Sequence, residues 1–183
     1  MFFELIAPWY DRLMGRPDVA ALLALLQWCR HGAVLDLGGG TGRVAGELDG
    51  FGRVLVLDAS LGMLRQARAK GLSAVCARAE SLPVVEGSKD VVLAIDALHH
   101  FSQVGLVLAE ARRVLRPGGC LLIEEPDVRS FRVKVIAALE RLLGLHSRFY
   151  GPGDVHRMVE QAGFQLLAMV EGSTYFRLLA KRP

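Results

Sequence analysis

Val34-Leu35-Asp36-Leu37-Gly38-Gly39-Gly40-Thr41-Gly42 is the stretch on which the reading of this chain turns. Three apolar residues surround a single acid, Asp36, and four glycines then fall within five positions. An amphipathic stretch follows. An apolar run that stops at a glycine cluster ahead of a helical pattern predicts strand, tight turn and helix in an α/β sheet. Glycines serve such a turn twice over: they accept positive φ, and they let a ligand touch the backbone.

Working outward, apolar runs predict strands over 33–37, 53–57, 73–77, 90–95 and 120–123. Asp58 and Asp96 close the second and fourth, and Glu124-Glu125-Pro126 the fifth. Helical spacing runs over 2–14, broken at Pro8, and over 19–29. Further helices are predicted over 43–48, 61–70 behind a Ser60 cap, 103–115 and 130–143, and up to Ala162 behind an Asp154 cap. Arg116-Pro117-Gly118-Gly119 is expected to stop the fifth of these sharply. The last two apolar runs, 164–170 and 175–180, are so close that only a hairpin joins them, which makes them antiparallel. The expected fold is therefore α/β: a Rossmann-like, doubly wound, mostly parallel seven-stranded sheet with a C-terminal antiparallel hairpin and helices on both faces. One domain spans 1–183, with a helical cap over 1–31 and the core over 32–183.

Composition narrows the class. The 183 residues are 52% hydrophobic and 22% charged, an ordinary globular balance. The formal charge is +3, without a concentrated basic block, so nucleic acid is not an expected partner. Cys29, Cys76 and Cys120 are odd in number and form no CxxC; they read as buried reduced thiols of a cytoplasmic protein, not as a disulfide frame or metal site. No metal is expected. The start lacks the basic region of a signal peptide, and the longest apolar run, 19–26, is far short of the ~20 residues of a membrane span.

Three ligand chemistries share this architecture. A phosphate loop requires GxxxxGK[ST], and Arg43 stands where its lysine belongs. A dinucleotide fingerprint requires GxGxxG, whose third glycine falls on Arg43. The third chemistry rests on a family. Asp36 followed by Gly38-x-Gly40-x-Gly42 resembles the first motif of class I S-adenosylmethionine-dependent methyltransferases. Asp58 resembles their ribose acid, and Met63, in 59–64, the residue that packs on adenine. The segments 79–83, 90–100 and 110–119 resemble the loop after strand three, strand four with its loop, and the helix–turn–strand of that family. The pattern Phe3-x-x-Ile6-Ala7-x-x-Tyr10-Asp11 is similar to the subgroup that C-methylates ubiquinone and menaquinone precursors. One departure stands out: where the family usually has Asp accepting from the adenine amino group, this chain has Arg78, which cannot accept.

The resemblance implies S-adenosylmethionine as cofactor, S-adenosylhomocysteine as product, and a small-molecule methyl acceptor, quinone-like by the N-terminal match. It implies a cofactor set of Tyr10, Asp36, Gly38, Gly39, Gly40, Thr41, Gly42, Asp58, Ala59, Met63, Ala79, Glu80, Asp96 and Ala97. His100, ahead of His99, is the candidate for deprotonating an acidic acceptor, because imidazole titrates near neutrality. Packed loop histidines are the plain alternative. Glu124 and Glu125 either meet a polar substrate or pair with Arg129 and Arg132. The basic helix over 130–143 reads as a solvated face. A homodimer is compatible with the sequence, and the competing function is a non-catalytic nucleotide-binding or scaffold subunit.

Overall fold

The computed structural model describes residues 2–29, 32–48, 50–142, 144 and 147–183. Leu143, where the sequence pattern ends a helix, and His146 lie outside them. Among the described residues seven strands form one sheet in the order β3-β2-β1-β4-β5-β7-β6. These are β1 (Val34–Leu37), β2 (Val54–Asp58), β3 (Ser73–Cys76), β4 (Lys89–Ile95), β5 (Leu115–Pro126), β6 (Gln165–Glu171) and β7 (Tyr175–Lys181). Only β7 runs against the rest, pairing antiparallel with both β5 and β6. β1 lies between β2 and β4, so the winding reverses there and opens a crevice beyond the carboxyl ends of β1 and β4.

Strand alternation assigns the faces. Leu35, Leu37, Val92 and Ala94 point to one side and pack with α5 (Val104–Val114) and α7 (Pro152–Gln161). Val34, Val91 and Leu93 point to the other and meet α3 (Val19–Leu26), while Val56 meets α4 (Leu61–Ala69). α1 (Phe2–Ile6) and α2 (Tyr10–Met14) are separated by one tight turn at Ala7–Trp9, the break that Pro8 predicts. α6 (Phe131–Leu142) follows β5.

Several local expectations need correction. Cys29 and Cys120 form a disulfide across α3 and β5, and Cys76 is exposed, so the cysteines no longer argue for reduced, buried thiols. Packing in one apolar cluster brings together two residues 91 apart in the chain, which no spacing rule anticipates. The segment after the glycine turn is a single tight turn, Ala45–Glu47, rather than a helix; Gly46 and the nearby Gly50 weaken helix there. Arg116-Pro117-Gly118-Gly119 follows the end of α5 at Val114, as expected, but it is a bulge inside β5 and does not precede the strand: Lys89 pairs with Leu115, and Val91 pairs with Cys120. Asp154 is not the cap of α7 but its third helical residue; its carboxylate accepts from the N–H of Gly151, the residue at the cap. No described helix is long and apolar enough to cross a membrane.

Candidate active site

The crevice beyond β1 and β4 holds two adjoining cavities. The first, of about 510 Å³, is lined by Gly38 and Gly40 from the turn after β1, by Asp58, Ala59 and Met63 after β2, by Ala79 and Glu80 after β3, and by Asp96 and Ala97 after β4. Tyr10, Arg78 and His100 also line it. The second, of about 460 Å³, lies between α1, α2 and α6, with Ile6, Leu13, Val133, Ile136 and Phe149 as apolar walls and His99, Glu140 and Tyr175 as polar ones. Phe3, Tyr10, Asp96 and His100 line both.

The glycine turn is built for close approach. Gly38, Gly40 and Gly42 take φ of 71°, 55° and 70°, a region that other residues rarely adopt. A Cβ on Gly40 would project toward Asp58 Oδ2 and Met63 Sδ, into the cavity. Gly39, Thr41 and Gly42 stay behind that surface. A Cβ on Gly39 would strike the Asp36 carboxylate, and one on Gly42 would strike Leu72. Thr41 is buried and donates to Asp11. Asp36 is likewise sealed under the turn, with its Oδ2 unpartnered.

Asp58 Oδ2 accepts from the Gly40 N–H at 3.0 Å and Oδ1 from the Ser60 N–H at 2.8 Å. These bonds leave lone pairs on both oxygens for a ligand. Ser60, not Asp58, caps α4, accepting from the Met63 N–H. Asp96 has a φ of 52°, the only non-glycine residue with positive φ among the described ones. Its Oδ2 pairs with Arg43 at 3.0 Å, and its Oδ1 is buried without a partner.

The electrostatics run one way. Burial, then Asp58, pushes the Asp36 carboxyl up to about 7. Burial, then Glu125, pushes Asp96 to about 6. Burial also raises Asp58 against the N–H donors of Ser60 and Gly40. Of these acids Asp36 lies beneath the turn, while Asp58 and Asp96 stand on the cavity wall and make it an environment for a cationic ligand.

At the junction, Glu125 is nearly inaccessible and fully engaged. Its Oε1 accepts from the N–H groups of Ala97 at 2.9 Å and Leu98 at 2.6 Å, and its Oε2 meets His99 Nδ1 at 2.6 Å. Of the two readings of Glu124 and Glu125, the pairing with Arg129 or Arg132 is not made among the described residues: Glu124 pairs with Arg177, Glu125 with His99, and Arg129 with Asp127. Burial works against the His99 imidazolium, but the charge and hydrogen bond of Glu125 outweigh it and raise the His99 pKa. Desolvation, then the neighbouring His99, pushes His100 down to about 3, and its Nδ1 meets Ser147 Oγ at 3.1 Å. Ligating atoms of His99, His100 and Glu140 lie within 4.8 Å of one another, a trio able to hold a small cation. No local spacing reveals it, because Glu140 is forty residues from His100, on α6.

A family described as "Methyltransferase domain" matches residues 35–123. The ubiquinone/menaquinone biosynthesis C-methyltransferase UbiE of Acidiphilium cryptum is 40% identical over 134 residues, covering 60% of this chain and 54% of that protein. Malonyl-[acyl-carrier protein] O-methyltransferase of Laribacter hongkongensis is 36% identical over 184 residues, covering 88% and 62%. The chain thus spans less than two thirds of the length of either curated relative. The crystal structure of a SAM-dependent methyltransferase from Thermotoga maritima, described as a possible histamine N-methyltransferase, superposes with a TM-score of 0.81 at 23% identity, covering 99% and 98%.

The chain carries a methyltransferase domain over residues 35–123. S-adenosylmethionine is the cofactor that such a domain implies, and the first cavity fits it: its glycine-floored wall leaves the room a Cβ on Gly40 would take, and the unpartnered Oδ1 of Asp96 suits a cationic group. Ten of the sequence-selected cofactor residues line that cavity: Tyr10, Gly38, Gly40, Asp58, Ala59, Met63, Ala79, Glu80, Asp96 and Ala97. Asp36, Gly39, Thr41 and Gly42 shape the turn from behind. Trp9, next to Tyr10 in the chain, faces solvent. α6 is not merely a solvated face, since Val133, Ile136 and Glu140 wall the methyltransferase's second cavity. His156 is away from both cavities and pairs with Glu160 on its own helix.

Proposed function

We propose that the protein transfers a methyl group from S-adenosylmethionine to a small, largely apolar acceptor that carries one acidic O–H or C–H and occupies the second cavity. The observation that carries this reading is the pair of cavities sharing Phe3, Tyr10, Asp96 and His100 as a common wall, one acidic and glycine-floored, the other apolar. A cavity of about 460 Å³ suits a ring-sized molecule, and the likeness to a quinone-precursor C-methyltransferase favours a quinone-like ring.

S-adenosylmethionine, when bound, supplies the methyl group from its sulfonium and departs as S-adenosylhomocysteine. The chain's own task is to hold the two reactants aligned, which can be worth about 7–11 kcal/mol of barrier. Asp58 would hold the ribose hydroxyls, Met63 and Ala79 would flank the adenine, and Asp96 would offer its carboxylate to the positive end of the methionyl part. His99 takes the acceptor's proton at Nε2, because its Nδ1–H is committed to Glu125, which also stabilises the imidazolium that forms. What favours His99 over His100 is basicity: a group pushed down to about 3 is a poor proton acceptor. His100 instead serves as wall, packed edge-on against Phe3.

Calorimetry with S-adenosylmethionine, S-adenosylhomocysteine and NAD tests the cofactor, and tight NAD binding with silence toward the other two overturns it. A radiolabelled-methyl screen over quinols, phenols, amines and thiols tests catalysis. Cofactor binding with no label transferred to any of them favours the scaffold reading.

A further inference from the structure

α6 carries a second pattern that methyl transfer does not use. Val133 and Glu140 face inward, the first buried and the second lining the acceptor cavity. On the opposite side stand Phe131, Val135, Leu139 and Leu142, all exposed, Phe131 by 79% and Leu142 by 83%. Steps of four, four and three residues at about 100° each keep these side chains within about 80° of arc, one continuous apolar stripe. Arg132 flanks the stripe on the side of the acceptor cavity, which it also lines, and Lys134 and Arg141 flank it on the other; all three are exposed and without an ion-pair partner among the described residues. The N-terminal segment repeats the arrangement. Leu5, Trp9 and Leu13, spaced by four, are exposed, and Arg12 and Arg16 lie beside them. Leu13, Met14 and Ile136 are at once exposed and part of the cavity wall, so the two apolar surfaces meet at its lip.

The acids of these segments are turned elsewhere. Glu4 accepts from the Gly62 N–H, Asp11 pairs with Lys70, and Asp18 pairs with Arg177. What faces outward is thus apolar and cationic. A second copy docked through the same patch would set cations against cations. An anionic bilayer surface offers the complement: acyl chains for the stripe and phosphate headgroups for its flanks.

We infer that α6 and the N-terminal helices dock the protein peripherally on an anionic lipid surface, with the lip of the acceptor cavity against the membrane. The inference goes beyond methyl transfer and is read without it. Vesicles of phosphatidylcholine containing phosphatidylglycerol should co-sediment the full chain, about tenfold or more better than phosphatidylcholine alone, with binding weakened by salt. The double variant Phe131→Glu/Leu139→Glu, at positions outside both cavities, should lose that binding about tenfold while calorimetry still shows S-adenosylmethionine bound. Lys134→Glu/Arg141→Glu keeps the stripe and removes the charge, and should lose the preference for phosphatidylglycerol, which keeps the test decisive if the first variant misfolds. No association of the wild type with anionic vesicles overturns the inference. Equal binding by the wild type and the folded variants does so too, as does a concentration-dependent dimer, abolished by Phe131→Glu/Leu139→Glu, in a chain that ignores vesicles.

Discussion

The two cavities share four side chains yet are made in opposite ways. The first is assembled from strand ends and the turns that follow them, so each wall comes with its own short sequence signal: glycines after β1, an acid ending β2, Ala79-Glu80 after β3, Asp96 ending β4. The second is assembled from helices far apart in the chain, α1, α2 and α6, whose inward side chains are ordinary apolar residues. A sheet with a fixed winding rule places its strand ends in one crevice whatever the helices do. Helix docking has no such rule. Cofactor recognition is therefore common to the family, and acceptor choice is free to vary.

The sharpest way to separate the two is at their junction. His99→Gln keeps a side chain of similar reach but cannot take a proton at neutral pH. It should lower kcat for the acceptor found by label transfer by about 10²–10⁴ while S-adenosylmethionine affinity stays within a fewfold, read by calorimetry. A loss of both together would place His99 in the cofactor wall and collapse the distinction. A full-rate variant would leave alignment as the whole of catalysis. Glu125→Gln should act on the same quantity more weakly, lowering the pH at which the acidic limb of kcat/KM falls, since the imidazolium loses its buried counter-charge.

On the cofactor side, Asp58→Ala should weaken S-adenosylmethionine binding by more than about tenfold, some 1.4 kcal/mol, without a change in acceptor KM. An unchanged affinity would mean that Asp58 only fastens Gly40 and Ser60 to each other.

These two sites also show where sequence reading succeeds. Asp58 was legible because the end of a strand, a distance of about twenty residues from the glycine turn and a following helix cap are all local. Glu125 was not. Its position at the end of β5 was visible, but its partners, the N–H groups of Ala97 and Leu98 and the ring of His99, lie on the neighbouring strand's loop and depend on the β4–β5 register. The bulge at Arg116-Pro117-Gly118-Gly119 sits inside that register, and a turn signal in sequence does not distinguish a bulge from a strand end. Glu140 and the Cys29–Cys120 link failed to show for the same reason: both need helix placement, which no periodicity supplies.

Protonation gives a subtler contrast. The Asp96 carboxyl is raised to about 6, so it is ionised above that pH and neutral below it. A cationic ligand should therefore bind more tightly at pH 7 than at pH 5, with protons released on binding in between. Asp96→Asn should flatten that slope. For the free protein the sign is the reverse. A buried acid whose pKa is raised on folding holds its proton longer folded than unfolded, so Asp96 and Asp36 together lower stability as pH rises from about 4 to about 7. Thermal melts with and without S-adenosylmethionine should accordingly diverge with rising pH.

The smallest effect is expected where the chain departs most visibly from its family. Arg78 replaces an acid that would accept from the adenine amino group, and a lost hydrogen bond suggests a large penalty. The geometry argues for a small one. The Arg78 side chain is 70% exposed and meets Glu80 at 3.4 Å, a pair of the solvent-facing kind worth about 0.2–1 kcal/mol at most. Glu80 in turn is held by Ser102, so the loop keeps its shape without Arg78. Arg78→Ala should then change S-adenosylmethionine affinity by less than about threefold. Arg78→Asp should tighten it by a few fold, because it supplies the missing acceptor at the edge of the first cavity. A tenfold loss in Arg78→Ala would instead show that the guanidinium itself touches the cofactor, and the division between a family-fixed cofactor wall and a free acceptor wall would have to be redrawn at this residue.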